Sequence, residues 1–162
     1  MKPPLTKTAQ KKKDTEKRKK VRAAKKAVTD LEQLLAFVWR FICYERAGRK
    51  CEVCGTPYER GDFRLQAHHL VKRSQSKRLQ LDPMNSMALC PGHHMAADRD
   101  PIWALGLANE LRGVGEYLVR ERRNMSKIRA DEIIYGLLRA CDLHALSDPR
   151  IDELRTYHEK SE

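Results

Sequence analysis

Between positions 51 and 98 the chain gathers side chains that hold metals and move protons. Cys51-Glu52-Val53-Cys54 and Cys90-Pro91-Gly92-His93 are two ligand pairs with the same two-residue gap. Zinc takes four soft or borderline donors in a tetrahedron, and two short-gap pairs on tight turns deliver them. Gly55 and Pro91-Gly92 let those turns close. Either His93 or its neighbour His94 can serve as the fourth ligand. Such a site staples a stretch that has little hydrophobic core of its own. A second set lies within the same loop: His68 and His69, then Asn85, then His94 and Asp98. On a helix, His94 and Asp98 share one face at a spacing of four and can converge on one ion. His68 completes a three-ligand site, leaving positions open for water and a phosphate oxygen, as hydrolytic metal catalysis requires.

The run Ala67-His68-His69-Leu70, then Asn85, then Leu89-Cys90-Pro91-Gly92-His93-His94-Met95-Ala96-Ala97-Asp98, resembles the HNH (ββα-metal) endonuclease family over about residues 51–98. The resemblance implies a DNA phosphodiester hydrolase leaving 5′-phosphate and 3′-hydroxyl ends. His68, His94 and Asp98 would hold the catalytic divalent ion, His69 would be the general base, and Asn85 would brace the loop that orients it. Cys51, Cys54, Cys90 and His93 would hold structural zinc. Two positions depart from the family pattern. His93 stands where zinc-bearing members usually carry a fourth cysteine, and Asp98 where many have histidine. The harder carboxylate tilts the catalytic site toward Mg²⁺ or Mn²⁺. Neutral His69 would take a proton from water, and an imidazole of ordinary pKa, about 6.5, needs little tuning for that.

Charge points to the same partner. Residues 1–28 hold twelve Lys or Arg against Asp14 and Glu16, or +10 of the formal +11. A near-neutral domain with such a leader suits a polyanion, bound with counterion release. Arg73, Lys77, Arg78 and Arg99 are candidates to grip phosphates of DNA beside the scissile one. The five cysteines are odd in number, and no apolar signal segment follows the N-terminus. Metal binding in a reducing compartment therefore fits better than disulfides. Cys43 and Cys141 lie on apolar helical faces and read as core. No apolar run approaches a membrane span, so a cytoplasmic protein is expected.

The elements that must position these residues give an α+β chain. Residues 1–28 read as a basic flexible tail. Residues 29–100 combine a helix with the zinc-stapled ββα module, and 101–162 form a helical region. Thr29 and Glu32 suggest a capping box opening a helix over about Asp30–Ala47, stopped at Gly48. Phe63, Leu65 and Ala67 alternate with polar residues as in a half-buried strand, and Ser86–Leu89 suggests a second. A helix over His93–Arg99 succeeds the Pro91-Gly92 turn. Asp100-Pro101 opens a further helix, Gly113 and Gly115 break this region into two helices, and Ala130–Asp142 is amphipathic. This layout resembles phage recombination endonucleases of the NinG/Rap kind. The rival expectation is a zinc-containing DNA-binding protein without catalysis, which leaves His68, His69, His94 and Asp98 unexplained.

Overall fold

The computed structural model describes residues 7–160 other than Met125, with side chains from residue 15 onward. The first helix, α1 (Lys7–Arg46), runs far upstream of the expected start. Its leading part is dense in Lys, Arg and Ala, which favour helix even without packing. Residues 1–6 of the expected tail lie outside the described residues. Thr29, expected as a cap, sits inside α1 instead, and its hydroxyl donates to the carbonyl of Lys25 at 3.0 Å. The chain divides after Leu34, and residues 7–34 of α1 belong to the first unit. Residues 15–30 are exposed throughout.

The second unit, Leu35–Glu162, holds the remaining elements. β1 (Gln66–His69) and β2 (Ser86–Leu89) pair antiparallel, with Gln66 opposite Leu89, Ala67 opposite Ala88, His68 opposite Met87 and His69 opposite Ser86. The strand expected from Phe63 begins only at Gln66, because Phe63 lies in a turn and is 87% exposed. α2 (Pro91–Arg99) starts at Pro91 rather than after it, since a proline at the first helical position costs no hydrogen bond. α3 (Pro101–Arg112) opens as expected: the Asp100 carboxylate accepts from Trp103 N at 3.0 Å, and Gly113 closes the helix at φ 64°. α4 (Gly115–Arg123), α5 (Ala130–Leu143) and α6 (Pro149–Glu159) complete the chain. Hydrophobic spacing does not mark α6, yet Asp148-Pro149 repeats the Asp100-Pro101 start, and Asp148 accepts from Arg150 N at 3.0 Å. Mixed helix and sheet is therefore the fold class.

Strand alternation sorts the core into two sides. Met87 and Leu89 pack with Leu70, Val71 and Leu79 against Ala97, Ala104, Ala108 and Leu118 of α2, α3 and α4. Ala88 faces the other way, against Leu65 and Cys43 of α1. β2 is buried on both faces for that reason. Cys43 and Cys141 are fully buried, and burial pushes both thiols up to about 11. Both are core residues, as expected from their spacing. Among the described residues no helix is long and apolar enough to cross a membrane.

Candidate metal centres

The Cys51–Cys54 turn is closed by its own backbone. Gly55 N donates to Cys51 O at 2.8 Å with Gly55 at φ 70°, and Cys51 N donates to Thr56 O at 3.0 Å. Between the two cysteines, Glu52 pins the turn to the sheet: its N donates to Ala88 O at 2.9 Å, and its carboxylate accepts from Ala88 N at 2.6 Å. Cys90 follows β2 directly and stands at the N-terminal boundary of α2, which brings His93 round in the first turn. His93 Nδ1 lies 3.1 Å from Cys90 Sγ and 3.5 Å from Cys51 Sγ. One donor atom from each of Cys51, Cys54, Cys90 and His93 falls within 4.8 Å of the others, so this group could hold a metal ion. Hydrogen bonds from Thr56 pull the Cys54 thiol down to about 6, which favours the ligating thiolate. The choice left open between His93 and His94 falls to His93.

His94 points elsewhere. Its Nδ1 is 3.2 Å from Asp98 Oδ2, one turn along α2. His68 Nδ1 lies 4.0 Å from Asp98 Oδ1, and its ring meets that of His94 edge-on at 4.9 Å. Donor atoms of His68, His94 and Asp98 again gather within 4.8 Å. His68 comes from the sheet face that carries Met87, the face turned to α2. Burial first, and then the neighbouring His94, push His68 down to about 4. It is thus a neutral imidazole, the form that ligates metal. Asp98 is exposed, so the group opens to solvent on the carboxylate side.

His69 takes the opposite face. Its ring stacks on Trp39 of α1 with centroids 4.1 Å apart, and its Nε2 lies 2.8 Å from the carbonyl oxygen of Gln80. A carbonyl only accepts, so Nε2 carries the proton and Nδ1 holds the lone pair. Burial holds the ring below its ordinary pKa, against the bond to Gln80. The adjacent histidines therefore serve different faces, with His69 the last residue of β1.

Asn85 is fully buried and ties the loop between β1 and β2. Its Oδ1 accepts from Val71 N at 2.6 Å, while its Nδ2 donates to Val71 O at 3.0 Å and to Leu79 O at 2.8 Å. Those contacts clamp both ends of the 72–78 loop and fix Gln80, the next residue, under His69. Trp39 Nε1 donates to Asp82 O at 2.9 Å, anchoring the far side of the same loop. Arg46 and Arg112 both donate to Ser86 O, at 2.8 and 2.9 Å, which holds the start of β2. Sequence reasoning alone does not single out Trp39, Arg46, Glu52, Gln80 or Arg112. Trp39 sits beside an apolar helical stripe like any core residue, and Gln80 acts through a backbone atom that residue type does not reveal.

Of the candidate phosphate contacts, Arg73, Lys77 and Arg99 are exposed. Arg78 is engaged within the chain: its Nε lies 2.7 Å from Glu121 Oε2 and its Nη1 3.3 Å from Ser126 Oγ. No protein-family model, curated protein or solved structure matches the chain.

Proposed function

We propose that the chain is a metal-dependent DNA endonuclease of the HNH type, hydrolysing phosphodiester bonds from a zinc-stapled ββα module. The observation that carries the reading is the gathering of the His68, His94 and Asp98 donors within 4.8 Å of one another, with the next residue along the chain from His68 a histidine whose Nδ1 keeps its lone pair. The two donor sets differ as two ions would require. Three thiols and an imidazole fit tetrahedral zinc with no position to spare. Two imidazoles and an exposed carboxylate fit a harder divalent ion, Mg²⁺ or Mn²⁺, with positions left over.

His68, His94 and Asp98 would hold that ion, which when bound offsets negative charge developing at the phosphate and the leaving oxygen. His69 supplies the base, taking a proton from water at Nδ1 while Nε2 stays bonded to Gln80 O. Trp39 and the carbonyl together fix the ring plane, so the lone pair keeps one direction. Asn85 is a positioning residue, acting through the loop it clamps. The exposed Arg73, Lys77 and Arg99 would grip neighbouring phosphates, and the cationic first helix would hold the strand nonspecifically. A role in phage recombination or DNA processing belongs to the same proposal, through the likeness in layout to NinG/Rap endonucleases.

Supercoiled plasmid with Mg²⁺ or Mn²⁺ tests the reading. Nicking by the purified chain is expected with one of the two ions and none with a chelator. If zinc stays bound and neither ion gives nicking, the chain is a DNA-binding protein without catalysis.

A further inference from the structure

Beside the candidate reaction centre lies a cleft of ≈ 460 Å³ walled by Arg40, Tyr44, Phe63, Leu65, Gln66 and His94. Phe63 is 87% exposed, although an aromatic ring ordinarily gains by burial. The turn that carries it is built tightly. Gly61 adopts φ 87°, Asp62 N donates to Glu59 O at 3.0 Å, and Leu65 N donates to Asp62 O at 3.3 Å. Asp62 also accepts from Arg64, from its N at 2.9 Å and its Nη2 at 2.8 Å. Leu65, two residues on, is buried against Cys43 and Ala88 and anchors the turn. The ring is therefore held out by backbone geometry.

We infer that this cleft is a base-binding subsite, in which Phe63 stacks a nucleobase of the DNA strand next to the phosphate held at His94. The inference rests on the nuclease reading for its choice of ligand. Three features favour a base. The cleft has two aromatic walls, Phe63 and Tyr44, and any base presents a flat π-face to such a platform. Arg64 neutralises Asp62 and Arg49 is paired with Glu45, while Arg40 and Glu59, which also line the cleft, are opposite in formal charge, so the lining makes no net demand for a charged ligand. His94 lines the cleft and belongs to the second donor group, so a phosphate seated there brings its own base to the cleft.

Binding of a short single-stranded thymidylate oligonucleotide to the full chain, without Mg²⁺ or Mn²⁺, tests this apart from catalysis. Phe63→Ala should weaken binding about tenfold. Phe63→Trp should restore it to within about twofold, and Phe63→Leu should not, because leucine keeps apolar bulk without a π-face. The exposed ring makes no core contact, so all three variants should melt with the wild type. If Phe63→Ala binds as the wild type does, or Phe63→Leu restores as well as Phe63→Trp, the subsite is overturned and the ring is a protein-docking contact. A wild type that binds but never nicks DNA would sink the nuclease reading while this series still decided the subsite.

Discussion

The Nε2 of His69 lies 2.8 Å from the carbonyl oxygen of Gln80, and that one bond decides which nitrogen of the ring can act as a base. With Nε2 committed as donor, Nδ1 is left to accept a proton. Trp39 stacked at 4.1 Å prevents the ring from turning over. His69→Ala should therefore lower the nicking rate at least about 100-fold, while zinc content and melting stay near wild type. Nitrogen NMR of the ring should show the Nε2-protonated tautomer. Normal cutting by His69→Ala would remove this residue from the mechanism.

Asn85 makes a second prediction, because under the nuclease proposal it would act only through the loop it clamps. Asn85→Ala leaves Val71 N and Val71 O without partners in a buried site and removes one of the two bonds to Leu79 O. Stranding buried polar groups costs about 1–3 kcal/mol each before relaxation, so a loss of about 2–4 kcal/mol in a urea titration is expected. The nicking rate should fall even under conditions where the variant is fully folded, since Gln80 is no longer fixed. A folded Asn85→Ala with an unchanged rate would reduce the residue to scaffolding.

Arg78 and its neighbours separate latch from grip. The Arg78 side chain is 26% exposed and paired with Glu121, which joins the 72–78 loop to α4. Such a pair is worth about 0.2–1 kcal/mol, so Arg78→Ala should cost stability of that order. Replacing exposed Arg73 or Lys77 should instead leave stability alone and reduce the salt dependence of DNA binding by about one counterion each. An Arg78→Ala variant with wild-type stability and a reduced salt slope would reverse the assignment.

Ligand spacing survives folding, and so the two donor groups are legible in the sequence. Cys51–Cys54, Cys90–His93 and the four-residue step from His94 to Asp98 are local geometries, and each comes together as expected. The cap at Asp100-Pro101 is legible for the same reason, whereas Thr29, read as a cap, lies inside α1. What resists reading is long-range. The partner of His69 is a backbone carbonyl eleven residues away, and its stacking ring comes from α1. The Phe63 strand fails because alternation marks a strand only where a partner pairs with it, and the turn around Gly61 intervenes. The early start of α1 escapes any reading that weighs charge above the helix propensity of Lys, Arg and Ala.

Asp82 provides a pH test. Burial raises its carboxyl above the ordinary value, against hydrogen bonds from Tyr117 and Met84 N that favour the charge. A carboxyl raised in the folded state contributes stability below its unfolded pKa, about 3.9, and loses it as pH climbs through the folded value. Asp82→Asn keeps the cap and abolishes the titration. The melting temperature of the wild type minus that of Asp82→Asn should therefore be larger at about pH 4 than at about pH 7. Taking the difference cancels the opposing contributions of Asp62 and Glu121, whose carboxyls are held low by Arg64 and Arg78. A difference that grows with rising pH would show that the hydrogen bonds outweigh burial.

The adjacent histidines of α2 give the sharpest division of labour. His93 Nδ1 faces Cys90 Sγ at 3.1 Å, whereas His94 Nδ1 faces Asp98 Oδ2 at 3.2 Å, so neighbours in sequence belong to different donor sets. His93→Ala should lose most of about one equivalent of zinc and lower the melting temperature, because the cross-link between the Cys51 turn and α2 is what the ion would supply. Cys54→Ser should do the same. His94→Ala should keep its zinc and its fold, since the second donor group is open to solvent at Asp98, yet lose nicking by about 100-fold or more. Metal analysis beside a plasmid assay reads both quantities from one preparation. Loss of zinc in His94→Ala with retention in His93→Ala would exchange the two roles and dissolve the site as described.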